Sequence, residues 1–200
     1  MNQQAALQLG TFIDGGFFGG VINVNGTHKG VIWAPKQEGE FRSIILPDDQ
    51  IAIGVFSPND CSANTKALLE AGSSAGQRIA GLTINGFNDW LVPSRDVLEL
   101  GYRHFKPTAS RNYCSWRDGE NPNSVPPSWL YTEEMPAQTT IDAFREGGQE
   151  AFSAAWYWSS TVLPAGDTAF VQDFDYGFQG SFTLSAECRV RAVRLIQLGS

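Results

Sequence analysis

The chain has 200 residues, of which 42% are hydrophobic and 18% charged, a composition that supplies one sizeable core and argues against intrinsic disorder. Its 14 basic and 21 acidic residues give a formal net charge of −7, which repels phosphate backbones and anionic membranes. We therefore expect no nucleic-acid binding and, since every apolar run is short, no membrane insertion.

The first predicted element is a hairpin within residues 10–33. Two short apolar runs, 21–24 and 30–33, flank Asn25-Gly26, a dipeptide that favours tight two-residue turns. Further strands are predicted at 44–46 and 51–56. Residues 1–10 lack the basic and apolar regions of a secretory signal, so we expect synthesis in the cytoplasm.

A helix is predicted over 60–81, because small apolar residues recur there at every fourth position: Ala67, Ala71, Ala75 and Ile79. Asp60 or Ser62 is suited to cap its start, and Gly72 and Gly76 weaken its middle. A second helix begins after Pro93 with Ser94 as its N-cap, and a short third one covers 140–146.

Residues 106–138 show no period and contain five of the ten prolines. Disorder fits this long loop poorly, because four aromatic residues within it need packing partners: Tyr113, Trp116, Trp129 and Tyr131. Two interpretations stay open, a proline-stiffened flap over the core and a binding loop. The three cysteines, Cys61, Cys114 and Cys188, lack C-x-x-C spacing, so free thiols are expected.

Strands return in the C-terminal third, at 155–160, 169–174, 180–184 and 188–195. The order of elements predicts an α+β fold with a mostly antiparallel sheet, two main helices and one domain over 1–200. Alternation in "QDFDYGFQGSF" places Phe174, Tyr176 and Phe178 on one face of a strand, either as core or as an exposed platform. Asp173 and Asp175 are predicted partners of the arginines at 189 and 191.

Four segments together resemble one protein family: "GGFFGGVINVNGTHKGVIWA", "NDWLVPSRDVLEL", "YWSST" and "VRAVR". They are similar to the Lcl C-terminal-domain family, over about residues 11–198. The resemblance implies a C-type-lectin-like fold, related to formylglycine-generating enzymes and to the major tropism determinant of a phage. Leu91-Val92 departs from the family's basic residue and Leu, and 106–138 looks like an insertion. The physical roles of "YWSST" and "VRAVR" are expected to be structural.

Sequence motifs give little support to catalysis, so we expect no enzyme and no catalytic residues. His28 and His104 lack metal-ligand spacing, and neither a G-x-S-x-G elbow nor a phosphate-binding loop is present. Only Cys188 lies where the formylglycine-generating relatives carry a cysteine pair. No cofactor or metal site is predicted, although "RDGENPNS" at 117–124 offers oxygen ligands, so a calcium ion stays open as an alternative.

The function expected from the resemblance is that of a phage tail-tip, receptor-binding protein. It would reside in the virion beside other tail proteins, as a homotrimer like the tropism determinant, and bind a glycan or protein on the bacterial surface. The alternatives are a bacterial adhesin or glycan-binding domain, and a structural baseplate protein without a ligand. Predicted ligand-contacting residues are Tyr113, Trp116, Asp118, Glu120, Asn121, Trp129, Tyr131 and Tyr176.

Overall fold

A computed structural model describes residues 7–54, 56–115 and 117–198. The strands in these ranges are β1 Phe12–Ile13, β2 Gly16–Val24, β3 Thr27–Trp33, β4 Glu40–Ser43, β5 Trp156–Val162, β6 Thr168–Asp173, β7 Gln179–Thr183, β8 Cys188–Arg191 and β9 Val193–Gln197. The helices are α1 Lys36–Gly39, α2 Cys61–Glu70, α3 Ser74–Ala80 and α4 Arg95–Phe105, with a 3-10 turn at Asp142–Phe144.

The strands form two sheets, ordered β1-β2-β3-β9 and β4-β8-β5-β6-β7. Every strand pair within the described residues is antiparallel except β5 with β8, which run parallel. The predicted α+β class and the mostly antiparallel pairing are therefore confirmed, although the strands divide between two sheets where one was predicted. No helix in the described ranges is both long and apolar enough to cross a membrane.

The first hairpin confirms its turn prediction. Asn25 and Gly26 both have positive φ, 51° and 84°, which is the backbone of a two-residue type I′ turn. The glycines before it serve a different purpose, because Trp33 lies fully buried against them. A Cβ added at Gly19 or Gly101 would come within 2.4 Å of the Trp33 ring, so the hairpin packs on α4 only where both positions lack side chains.

The single helix predicted over 60–81 is wrong, since two helices, α2 and α3, occupy that segment. Gly72 has a φ of +79°, a conformation that ends a helix. The chain restarts at Ser73, whose hydroxyl accepts a hydrogen bond from the Gly76 N–H at 3.2 Å. Asp60 does cap α2, accepting from the Ala63 N–H at 3.0 Å. Ser94 precedes α4 as predicted, but its side chain makes no cap bond.

The strands predicted at 44–46 and 51–56 are absent from the described residues of those segments. The strand lies earlier, as β4, and pairs with β8. Ile45 and Leu46 instead donate their N–H groups to the Leu184 carbonyl at 2.8 and 3.1 Å. The third helix shrinks to a 3-10 turn, and the strand predicted at 188–195 divides into β8 and β9 around Ala192.

The predicted partners of the two strand arginines are also wrong. Arg191 is fully buried and donates to both the Glu150 carboxylate, at 2.6 Å, and the Glu150 carbonyl, at 2.7 Å. Arg189 pairs with Glu40 at 3.1 Å. Asp173 instead accepts the backbone N–H of Asp175 at 3.0 Å. These contacts support the structural interpretation of the "VRAVR" segment.

Candidate functional site

Residues 106–138, named here the 106–138 loop, are closed at their base by a buried lysine. The Lys106 ammonium donates to the Ser110 carbonyl, to Asn112 Oδ1 at 2.7 Å and to the Pro136 carbonyl at 3.3 Å. Asn112 also accepts from the Tyr102 hydroxyl of α4 at 2.7 Å. Both ends of the loop are thereby fixed to each other and to the helix.

A second anchor in the middle of the loop is centred on Glu99, which is 1% exposed. Its carboxylate accepts from Arg103 Nε at 2.8 Å, Asn121 Nδ2 at 2.7 Å and the Tyr131 hydroxyl at 3.0 Å. Burial raises the pKa of Glu99, against the lowering influence of Arg103. Arg103 also donates to the carbonyls of Gly119 and Trp129 at 2.8 and 2.7 Å. The carboxylate therefore joins α4 to both halves of the loop.

Asp96 repeats this arrangement one turn earlier on α4. Its carboxylate accepts from Asn123 Nδ2 at 2.7 Å and from Arg95 Nε at 2.8 Å, and burial raises its pKa. Positions 96, 99 and 103 are spaced by three and four residues, so they lie on one face of the helix. Sequence reasoning missed this face; the available signal was charged residues at helical spacing beside an aromatic, polar loop.

The loop is also fastened to the edge strand β7. Asp118 is 2% exposed and accepts from the N–H of Ser115 at 3.0 Å and of Gln179 at 3.2 Å. Gln179 returns the contact, because its side-chain oxygen accepts from the Gly119 N–H at 3.0 Å. Burial raises the pKa of Asp118. The loop thus covers the first part of an otherwise open sheet edge.

The predicted contact residues fall into two groups. Asp118, Asn121 and Tyr131 are buried and hold the loop in place. The four residues that do reach the surface are Tyr113 and Tyr176, each about half exposed, Trp129, which is 82% exposed, and Glu120. Trp116 lies outside the described residues. Ligand contact therefore stays a prediction for the exposed four, whereas the buried three have positioning roles in this conformation.

Two of the exposed residues, Glu120 and Tyr113, lie against opposite faces of the β6–β7 hairpin. On one face, a cleft of about 250 Å³ is lined by Arg95, Ser115, Arg117, Asp118, Glu120, Phe170 and Gln179. On the other face, Tyr113 packs edge-on against Phe178 with ring centroids 4.7 Å apart, and Phe178 packs on Trp156 at 5.6 Å. The loop thus contributes side chains to a polar cleft and to an aromatic row.

The predicted aromatic face of "QDFDYGFQGSF" does not form by alternation, because β6 ends at Asp173 and the following residues turn. Phe174 is buried and stacks on Phe152 with centroids 4.2 Å apart. Tyr176 is exposed, and its backbone carbonyl accepts from the Tyr113 N–H at 2.6 Å. Phe174 therefore fits the core interpretation, and Tyr176 is exposed as the surface interpretation requires.

Oxygen ligands in the loop do not converge. Asp118 is directed at backbone N–H groups of its own loop and of β7, whereas Asn121 is directed at α4. Within the described residues, no three histidine, cysteine or acidic side chains come together in a group able to hold a metal ion. The calcium alternative thus receives no support from this arrangement.

The thiols and the helix histidine show no activation. Cys114 is exposed, and its pKa is raised by partial burial and by Glu133. Burial raises the pKa of Cys61 and of Cys188 to about 11. Burial also lowers the pKa of His104, whose Nδ1 lies 2.8 Å from the Gly19 carbonyl oxygen. A nucleophilic thiol needs a lowered pKa, whereas the pKa of each of the three cysteines is raised.

No protein-family model matches the chain, and no curated protein sequence matches it. The class of the protein therefore follows from its architecture alone: an α+β protein with two mostly antiparallel sheets and a long loop anchored on one helix.

Proposed function

We propose that the chain is a receptor-binding protein of a phage tail, with a C-type-lectin-like domain that recognises a bacterial surface receptor through the 106–138 loop. In this proposal it acts in the virion as a homotrimer, beside other tail proteins. The observation that carries the proposal is Trp129, which is 82% exposed on a loop whose backbone is fixed from below.

Exposure of this kind favours recognition over packing. Tryptophan is enriched among the residues that dominate binding energy at protein interfaces, and Leu130 and Met135 add exposed apolar surface on the same loop. The alternative interpretation, a flap over the core, explains why Tyr131 and Asn121 are buried, but it gives the exposed Trp129 side chain no packing role.

Rigidity adds to the argument, because a loop ordered before binding loses less conformational entropy when it binds. Arg103 holds the carbonyls of Gly119 and Trp129 simultaneously, and Asn121 pairs with Ser128 across the loop by two backbone hydrogen bonds of 3.4 and 3.0 Å. A loop with no recognition role has no evident need of three separate buried polar anchors.

The C-type-lectin-like assignment rests on the four sequence segments, and their packing agrees with structural roles. Trp158 of "YWSST" is fully buried and donates to the Ser43 carbonyl at 3.1 Å. Ser160 accepts from Asn64 at 3.3 Å, and its N–H bonds the Pro93 carbonyl at 2.7 Å. The contact with Pro93 connects the segment to the chain two residues before α4 begins, so the shared motifs would preserve the helix on which the loop is anchored.

The test is binding of fluorescently labelled protein to a panel of bacterial strains, with Trp129→Ala alongside. We expect strain-selective binding that Trp129→Ala weakens at least tenfold, which corresponds to about 1.4 kcal/mol. The matched control is Phe12→Ala, which removes a half-exposed ring from β1 in the other sheet and should bind as the unchanged protein does. Both variants must retain the far-ultraviolet circular dichroism spectrum and the midpoint of thermal unfolding.

Two binding results and one mass measurement can contradict the proposal. Binding to no strain by a folded protein would favour the structural baseplate alternative. Strain-selective binding that Trp129→Ala leaves unchanged would move the contact surface away from the loop. Light scattering coupled to size exclusion tests the trimer, which requires a mass three times that of the 21.8 kDa protomer; a monomeric mass would favour the adhesin-domain alternative.

A further inference from the structure

The cleft beside the 106–138 loop has the character of a small-ligand site. Its walls come from three separated parts of the chain: the first turn of α4, the β6–β7 hairpin, and the loop residues Ser115, Arg117, Asp118 and Glu120. Its volume of about 250 Å³ lies just below the roughly 300–1,000 Å³ of pockets that enclose drug-sized molecules. A cleft of this size suits one or two residues of a longer ligand.

The cleft combines an aromatic ring with both signs of charge. Phe170 is half-buried, and the Arg95 guanidinium carbon lies 5.4 Å from the centre of its ring. Arg95 Nε donates a hydrogen bond to Asp96, while the two terminal nitrogens of Arg95 have no partner within the described residues. Glu120 is exposed, with one carboxylate oxygen 3.6 Å from Arg117 Nε. The cleft therefore presents hydrogen-bond donors and acceptors together with an aromatic ring.

The walls are fixed before any ligand arrives. Gln179 accepts from the Gly119 N–H and donates to Gln172 Oε1 at 2.8 Å, so both ends of its amide are engaged. Asp118 receives two backbone N–H groups. These contacts hold the loop at a set distance from the Phe170 strand, which limits the ordering cost of binding.

We infer that this cleft binds a neutral saccharide unit of the surface receptor. Sugar hydroxyls both donate and accept, so one ring satisfies Arg95 and Glu120 together, while the apolar face of the ring packs on Phe170. Arg95 and Arg117 balance the charges of Asp118 and Glu120 in the lining, so the cleft has no net charge to favour an ionic unit, and an apolar peptide side chain would take charged groups out of water without offering them hydrogen bonds. The inference rests on the proposed function and assigns its receptor to the glycans.

The experiment compares binding of the labelled protein to responsive cells after two treatments, periodate, which cleaves vicinal diols of sugars, and proteinase K, which removes surface proteins. We expect periodate to reduce binding at least tenfold and proteinase K to leave it unchanged. The same protein is applied to an array of defined oligosaccharides, where neutral glycans should be bound and uronic-acid or phosphorylated glycans should not.

Variants locate the site. Phe170→Ala should weaken binding to cells and to the array at least tenfold, whereas Phe182→Ala, a half-buried ring on the opposite face of the same hairpin, should not. Glu120→Gln alters one exposed side chain without risk to folding and should weaken binding several-fold.

Each contrary result has a distinct meaning. Binding that resists periodate and is lost with proteinase K overturns the saccharide inference and leaves the proposed function standing. A preference for acidic glycans also overturns it. So does binding by Phe170→Ala and by Glu120→Gln that is as strong as that of the unchanged protein. Binding to neither cells nor array overturns both proposals.

Discussion

Replacing Glu99 by alanine should release the 106–138 loop. The carboxylate is buried, carries an ion pair with Arg103 and accepts further hydrogen bonds from Asn121 and Tyr131. Removing the carboxylate deprives the Asn121 amide and the Tyr131 hydroxyl of a buried acceptor, at about 1–3 kcal/mol for each, whereas Arg103 is partly exposed and keeps its two carbonyl partners. Much of the stability of the loop in its present position therefore depends on one side chain.

The assay is hydrogen exchange of two loop amides, resolved by mass spectrometry or by NMR. The Tyr131 N–H is bonded to the Asp118 carbonyl at 2.8 Å and the Gly119 N–H to Gln179 at 3.0 Å. A loss of 3 kcal/mol raises the population of the open loop by about a hundredfold, so both amides should exchange about a hundredfold faster in Glu99→Ala. The exchange rates of amides in β2 and β3 should change only as far as the global free energy of unfolding changes.

Glu99→Gln is the matched control, because it keeps the shape of the side chain and removes its charge. It retains one acceptor oxygen but faces Asn121 or Arg103 with an amide donor, and we expect a loss of about 1–3 kcal/mol. Unchanged exchange at Tyr131 and Gly119 in Glu99→Ala would refute the reasoning, since it would mean that the anchors at Lys106 and Asp118 hold the loop alone.

A comparison of the unchanged protein with Glu99→Gln tests the direction of the Glu99 pKa shift. Burial raises the pKa of Glu99 above the ordinary value of 4.5 for a glutamate side chain, so the folded state binds the proton more readily than the unfolded state does. Burial of the ionised carboxylate lowers the free energy of unfolding. This loss is absent below about pH 4.5, grows as the pH rises towards the folded pKa, and stays constant above the folded pKa. The stability advantage of the unchanged protein over Glu99→Gln, measured by urea unfolding, should therefore increase from pH 7 to pH 4.5. An advantage that shrinks over that interval would contradict the direction of the shift.

Three further outcomes are expected. Arg191→Ala should lower the free energy of unfolding by about 3–5 kcal/mol, whereas Arg42→Ala, which breaks an exposed pair with Glu187, should cost under about 1 kcal/mol; equal losses in urea unfolding would contradict this contrast. A thiol reagent should modify Cys114 alone in the folded protein and all three cysteines in denaturant, and modification of more than one thiol in the folded state would show that the buried pair opens readily. Gly177→Ala should lower the thermal midpoint more than Gly147→Ala, because both positions have positive φ but only at Gly177 would a Cβ meet the Tyr102 ring, at 2.6 Å.

Local signals in the sequence were sufficient for much of the fold. Asn25-Gly26 specifies its turn because both residues tolerate positive φ. The start of α4 is correctly predicted just after Pro93, since proline disfavours helix at the residue before it, although the Ser94 side chain makes no cap bond. The strands predicted at 155–160, 169–174 and 180–184 correspond to β5, β6 and β7. Gly72 shows the limit of such signals, because small residues at every fourth position continue across a break that one backbone conformation imposes.

Partner choice was decided by the tertiary structure. Arg191 had acidic candidates throughout the chain, and only the packing of the segment after the 3-10 turn brings Glu150 to it. The division of loop residues into buried anchors and exposed ones was equally inaccessible, because Asn121 and Tyr131 meet Glu99 across 22 and 32 positions of sequence. Sequence by itself determined the kinds of element and the presence of an aromatic, polar loop. Which of its side chains face the helix and which face solvent depends on long-range contacts, and a local pattern carries no information about them.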